Sequence, residues 1–202
     1  MIYSTFRALA LDTLNRADCT AARMDGFVDV AFQRLNRLLD HYVREVSYTH
    51  LCSDPQGESS IPLPSDVGKK IVEVYVDGIP VDAKPDRTSL MTGDLAYTRR
   101  SGALAFNADL PEGTGVTLVY WRNFGRPADG ATNDVLASMH PLVLYAALVE
   151  AGSYFEHPRT AEWAASFDRM LIEAVGENQD YEMSAYGGPM VVQAPQAALV
   201  DY

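Results

Sequence analysis

The chain is poor in the residues that do chemistry. Of its 202 residues, 2 are cysteine and 4 are histidine. Cys19 and Cys52 stand far apart and in no zinc-ligand spacing, so they read as reduced intracellular thiols rather than a disulfide framework. His41, His50, His140 and His157 make no pair at helical spacing and no zinc motif, so each is expected at the surface or at a helix end. Basic residues are outnumbered, 16 Lys+Arg against 27 Asp+Glu, and the formal net charge is −11. A surface that grips DNA needs Lys/Arg clusters to neutralise phosphates, and this composition argues against one. It still suits a protein that lets DNA pass without holding it. Long apolar runs are missing too. The longest, Leu142 to Val149, is closed by Pro141 and Glu150 at about half the ~20 residues of a membrane span. Met1 to Leu11 carries Arg7 and no continuous apolar core, so no signal peptide is expected.

Catalytic patterns are equally scarce. Gly113-Thr114-Gly115 is too small for a phosphate loop and lacks the following Lys; it reads as a turn before a strand. No strand precedes Ser153, so Ala151-Gly152-Ser153-Tyr154 is not a nucleophile elbow. Asp77, Asp82 and Asp86 lie in turns, where Asp is common for local reasons. Tyr120, Trp121 and Phe124, with Arg122 and Arg126, suggest a stacking platform for single-stranded nucleic acid, which the acidic balance disfavours. No catalytic, cofactor-binding or metal-ligating residue is assigned, no cofactor is expected, and the chain is read as not an enzyme.

What is present is a globular composition, 48% hydrophobic and 21% charged, long enough for one domain carrying an inserted subdomain. Tyr3 to Asn15 places Phe6, Leu9, Ala10 and Leu14 on one face, with Ser4 or Thr5 as a possible N-cap. Met24 to Val46 repeats Phe27, Val28, Ala31, Leu35, Leu38, Leu39, Tyr42 and Val46 at helical spacing. That single stripe predicts a helix packed on one side, against the apolar helix near Leu148.

The middle of the chain changes period. Asp54-Pro55-Gln56-Gly57 is a turn cluster, and the prolines of Ile61-Pro62-Leu63-Pro64 impose extended backbone. Ile71 to Val76 alternates as a strand does. Asp77-Gly78 is a strong hairpin signal, with Ile79 to Ala83 returning. Leu95 to Thr98 and Ala103 to Phe106 predict a second hairpin across Arg99-Arg100-Ser101-Gly102. Val116 to Phe124 closes a region of about five strands.

Helical spacing then resumes. Thr132 is positioned to cap a turn containing Asp134. Pro141 predicts a break near Met139 and His140, or a new helix with Pro141 in its first turn. Leu142 to Ala151 is apolar nearly all round and must be covered on every side. Thr160 to Val175 carries Trp163, Phe167, Met170 and Leu171 on one face, and Gly176 reads as its stop. Its short link to the preceding helix implies antiparallel pairing. The remaining residues, Glu177 to Tyr202, lack helical spacing yet hold Met190, Val191, Val192 and Leu199. With Tyr186, these are the candidate residues of an arm that orders on a partner, by strand addition for instance; the competing reading is a frayed terminus.

The expected fold class is therefore α+β. A helical bundle core of about four helices (1–47 plus 130–176) carries an inserted small β-sheet or barrel (48–129) and an extended C-terminal arm (177–202).

The order of several segments carries a resemblance. They are Asp25-Gly26-Phe27 leading to Arg34-Leu35-Asn36-Arg37-Leu38-Leu39, then Ile61-Pro62-Leu63-Pro64-Ser65-Asp66 and Val74-Tyr75-Val76-Asp77-Gly78-Ile79-Pro80. Leu110-Pro111-Glu112-Gly113-Thr114 and Val116 to Tyr120 follow. Thr132-Asn133-Asp134-Val135-Leu136, His140-Pro141-Leu142-Val143-Leu144-Tyr145 and Ala161-Glu162-Trp163 come last. From about Thr5 to Val175 the chain resembles the head-to-tail adaptor, or connector, proteins of tailed bacteriophages, and the tail after Gly176 falls outside the likeness. The resemblance implies a structural virion protein of the head-tail neck, assembled in the host cytoplasm. It implies a homo-oligomeric ring, usually of twelve copies, beneath the portal protein. Such a ring extends the DNA channel and docks tail or nozzle proteins, with DNA passing unbound and no membrane involved. The alternatives are a later neck or tail-completion protein and, from another class, a small acidic enzyme.

Overall fold

Tyr3, Phe6, Ala10 and Leu14 are fully buried, and their spacing of three and four puts them on one stripe of a helix. That helix, α1, spans Tyr3–Leu14 and opens a computed structural model that describes residues 1–84 and 94–186. Neither Ser4 nor Thr5 caps it. Its cap is Ile2, which offers no side-chain acceptor. The first amides donate instead to loop carbonyls, Tyr3 to Ala131 at 2.8 Å and Ser4 to Asp129 at 2.9 Å. A helix start needs partners for its orphan N–H groups, and a loop distant in sequence supplies them as well as a hydroxyl would.

The second helix, α2, spans Ala21–Leu38, with the Thr20 side chain accepting from the Arg23 N–H. It buries Met24, Val28, Ala31, Phe32 and Leu35. The sequence period carries this helix to Val46, but the chain leaves it at Leu39, whose backbone is extended. A 3-10 turn at Tyr42–Arg44 follows, then strand β1, Glu45–Leu51. Arg44 explains the ending. It folds back and donates to the Asn36 carbonyl at 3.0 Å and the Leu39 carbonyl at 2.8 Å, satisfying acceptors that a continued helix would have used.

Two four-stranded sheets follow where about five strands are expected. The remaining strands are β2 (Glu58–Pro62), β3 (Val67–Val76), β4 (Ile79–Pro80), β5 (Asp82–Ala83), β6 (Ala96–Arg100), β7 (Ala103–Leu110) and β8 (Gly115–Arg122). Sheet order is β1-β8-β3-β4 in one and β2-β7-β6-β5 in the other. The Asp77-Gly78 hairpin forms as expected: both residues have positive φ, 48° and 80°, which suits the two-residue turn that matches strand twist. Val76 pairs with Ile79 across it. The hairpin of β6 and β7 also forms, with Tyr97 opposite Phe106. Val81 separates β4 from β5, so the chain changes sheets there. One apolar cluster joins the two sheets, with Val74, Val116, Leu118 and Tyr120 from the first and Ile61, Leu104 and Phe106 from the second. The region is thus two sheets with a shared core, rather than one small sheet.

Helices α3 (Asp134–Ser138) and α4 (His140–Tyr154) are separated at Met139, and Pro141 lies in the first turn of α4. The cap of α3 is Asn133 rather than Thr132; its side chain accepts from Leu136 at 2.8 Å. Helix α4 is covered by α1, α2, α3 and α5, as its all-round apolarity requires. Leu142, Val143, Ala146, Ala147, Leu148 and Ala151 are buried in the second apolar cluster, formed by the helices and Phe124. Gly152 permits close approach of α5, since a Cβ there would stand 2.5 Å from Thr160 Oγ1 and 3.1 Å from the Trp163 ring.

The last helix, α5, spans Thr160–Tyr186 and passes through Gly176, the expected stop. Tertiary contacts carry it onward. Asn178 Oδ1 accepts from the Tyr42 N–H at 2.8 Å, and the Tyr181 ring stacks on Tyr42 with centroids 4.4 Å apart. The first ten residues of the expected arm are therefore helical. Among the described residues the fold is mixed α+β, with five α-helices and two four-stranded sheets.

Candidate docking surface

The helical and β parts meet around one buried cation. Arg44 is fully buried. Besides the Asn36 and Leu39 carbonyls, it donates to the Arg122 carbonyl at 3.2 Å and Asn123 Oδ1 at 3.2 Å. Its guanidinium lies 5.7 Å from the Trp121 ring centroid. Burial pushes its pKa below the ordinary arginine value, opposed by nearby Asp40. The fork geometry of Arg suits this task, because several acceptors lie in different directions around one planar group. Gly68 leaves the necessary room: a Cβ there would strike the Trp121 carbonyl and stand 2.9 Å from Arg44 Nη2.

Beside this junction, the extension of α5 and the first sheet enclose a cleft of about 390 Å³. Tyr42 and Tyr181 form one wall, Lys70 and Trp121 another, and Glu45 and Glu73 line it as well. The Lys70 ammonium lies 4.4 Å from the Trp121 ring centroid. Tyr42 and Tyr181 are about 40% exposed, so an aromatic step reaches the surface where α5 approaches its end. A rigid, half-exposed aromatic pair rimmed by both signs of charge has the make-up of a protein-contact surface.

The expected site residues fall at the edge of this region or beyond it. Tyr186 is the last residue of α5, one helical turn and a residue past Tyr181. Met190, Val191, Val192 and Leu199 lie outside the described residues. The cleft leaves no local signal in the sequence, because Tyr42 and Tyr181 are 139 residues apart and neither belongs to a local motif.

The histidines divide. His140 opens α4, and His157 stacks on Trp163 at 4.6 Å between α4 and α5, both at helix ends as expected. His41 also sits at a helix end, as the N-cap of the 3-10 turn, but it is buried rather than at the surface. It is 1% exposed, its Nδ1 accepts from the Val43 N–H at 3.1 Å, and Nε2 stands 3.8 Å from a Glu177 oxygen, beyond hydrogen-bond reach. Burial lowers its pKa, with Glu177 opposing. His50 faces Glu58 at 2.9 Å. Backbone donation from Ser53, then the His50 contact, push the Glu58 carboxyl down to about 2.

The aromatic trio makes no stacking platform: Tyr120, Trp121 and Phe124 are each at most 7% exposed. Ser153 sits in a helix. Asp77 serves its turn, accepting from the Gly115 N–H at 2.8 Å. Cys19 and Cys52 are both buried free thiols. No described helix is long and apolar enough to cross a membrane.

A family model described as SU10 adaptor protein matches residues 1–193. The match extends past Gly176, where the resemblance read from the sequence stops, and takes in Tyr186 and Met190 to Val192 but not Leu199. No curated protein matches the chain.

Proposed function

The chain belongs to the SU10 adaptor protein family, and from that premise we propose that it forms a ring beneath the phage portal. The family is one of structural phage adaptors rather than enzymes, so the chain is a virion component that meets other head and tail proteins. The proposal adds the finer points: a homo-oligomer of about twelve copies, portal on one side, tail or nozzle proteins on the other, DNA passing through. The observation that carries it is the family match over nearly the whole chain.

Two features support the reading. The charge balance, 16 basic against 27 acidic residues, suits a bore that must release DNA, because negative walls repel phosphate. The division into two apolar clusters suits a body with an appended module. In this reading the helices α1 to α5 form the ring body. The β module (β1 to β8) and the segment after Tyr186 reach the portal, a neighbour or the next tail protein.

Mixing the purified protein with its portal and imaging by negative-stain electron microscopy tests this. An added ring under the portal, with matching rotational symmetry, is the expected result. Bare portals beside free monomers would overturn it, and binding only to completed heads would place the protein in a later neck layer.

A further inference from the structure

Strand β1 ends where the chain crosses from one sheet to the other, and three potential metal ligands converge there. His50 lies in β1 and Cys52 just beyond it, two residues apart and so on one face of the extended chain. Glu58 begins β2 in the other sheet. A ring nitrogen of His50, Cys52 Sγ and a Glu58 carboxylate oxygen all lie within 4.8 Å of one another. Two of the three are held from behind. Glu58 Oε1 accepts from the backbone N–H groups of Ser53 at 2.6 Å and Asp54 at 3.2 Å, which leaves Oε2 facing the imidazole at 2.9 Å. Cys52 is pinned by its own backbone: its N–H donates to Thr114 at 3.0 Å, and its carbonyl accepts from Gly113 at 2.9 Å. The thiol is free, with no disulfide partner.

We propose that His50, Cys52 and Glu58 bind a zinc ion that ties the first sheet to the second. The donor set selects the metal. A thiolate is too soft for magnesium or calcium, whereas zinc accepts sulfur, imidazole nitrogen and carboxylate oxygen together. Charge also balances, since one thiolate and one carboxylate offset the ion beside a neutral imidazole. Binding breaks the Cys52 S–H bond, forms the Zn–S bond and releases the proton to solvent. Tetrahedral zinc at ordinary bond lengths sets nitrogen and oxygen about 3.3 Å apart and sulfur about 3.6 Å from each. The His50–Glu58 pair therefore opens by about 0.4 Å from its hydrogen bond as the ion enters. Three protein ligands leave the fourth position to water.

The sequence does not signal these ligands, because His-x-Cys followed by Glu six residues later is no zinc spacing. It is closure of the 53–57 turn that brings Glu58 back. Gly57, with φ of 92°, donates to the Asp54 carbonyl at 2.9 Å and makes that closure.

The test uses the full chain, stripped with chelator and titrated with zinc against a chromophoric competitor, then separately with cobalt. One metal per chain is expected, and cobalt should show a thiolate-to-metal charge-transfer band. Cys52→Ser should abolish the band, while Cys19→Ser should keep it. His50→Ala and Glu58→Gln change partly exposed side chains and should leave the fold intact by circular dichroism. Each should weaken zinc binding more than about 100-fold, beyond the loss typical of an outer-shell partner. Absence of stoichiometric binding overturns the site, as does unchanged affinity in either folded variant or a band that survives Cys52→Ser.

Discussion

Asn36 and Phe124 are joined through both ends of one side-chain amide. Asn36 Nδ2 donates to the Phe124 carbonyl at 2.8 Å, and the Phe124 N–H donates to Asn36 Oδ1 at 2.9 Å. The pairing copies what two strands do with backbone groups, but here a helix side chain receives the chain as it leaves β8. It fixes where the sheet ends and the helical cluster resumes, since Phe124 is buried among the helices.

A single substitution removes that pair. Asn36→Ala removes a donor and an acceptor together and strands two backbone groups of Phe124. A loss of roughly 1–3 kcal/mol is expected from urea unfolding. Asn36→Asp keeps the acceptor but sets a carboxylate oxygen against the Phe124 carbonyl, so it should be no milder than Asn36→Ala. Equal stability of Asn36→Ala and wild type would show that the amide pair contributes nothing.

Arg44 holds the same junction from the other side. Its four protein acceptors are three carbonyls and the Asn123 amide, and Arg44→Ala leaves them without a donor. Stability should fall by roughly 3 kcal/mol, because bonds from a charged donor are the strong ones and the buried Leu39 carbonyl loses its donor. Arg44→Lys keeps the charge but not the fork, so it should recover only part of the loss. Gly68→Ala, which drives a methyl against the Trp121 carbonyl and Arg44, should cost about 1–3 kcal/mol without removing any hydrogen-bonding group. Unfolding midpoints of the three variants check the order.

Much of this framework was legible in the sequence, and the failures share a cause. Helix α4 was readable because a run with no polar side has one solution. The Asp77-Gly78 hairpin and the Pro141 break were readable because their signals are local stereochemistry. The end of α2 was not, since Leu39, Tyr42 and Val46 keep helical spacing and only the fold reveals that Arg44 caps Asn36 and Leu39. Gly176 misled for the same reason: its weak helix propensity is outweighed by Asn178 and Tyr181 engaging Tyr42. The cleft and the His50–Cys52–Glu58 cluster depend on chain closure, which composition and periodicity do not encode.

Acid should act through His41. Its folded pKa is lowered by burial, whereas an unfolded histidine titrates near 6.5. Below about 6.5 the unfolded chain takes up a proton that the folded chain refuses. The contribution is thus fully present above that value and lost progressively as pH falls toward the folded pKa. His41→Asn retains an acceptor for Val43 and should flatten stability against pH in that window. An unchanged slope would show that His41 is not the group responsible.

The last expectation concerns the segment beyond α5. The helix runs ten residues past Gly176 and places Tyr186 at its end. Met190, Val191, Val192 and Leu199 follow, apolar residues ill suited to solvent. Deleting Gly187 to Tyr202 is expected to leave the circular dichroism spectrum and unfolding midpoint close to wild type. If this segment is the arm that docks on the portal, the same deletion should abolish portal binding in a pull-down. A shorter truncation divides the claim further. Ending the chain after residue 193, the limit of the family match, removes Leu199 but keeps Met190 to Val192. Retained binding would assign docking to the matched segment, lost binding would assign it to the final residues, and undiminished binding by the longer truncation would remove the arm from the interface altogether.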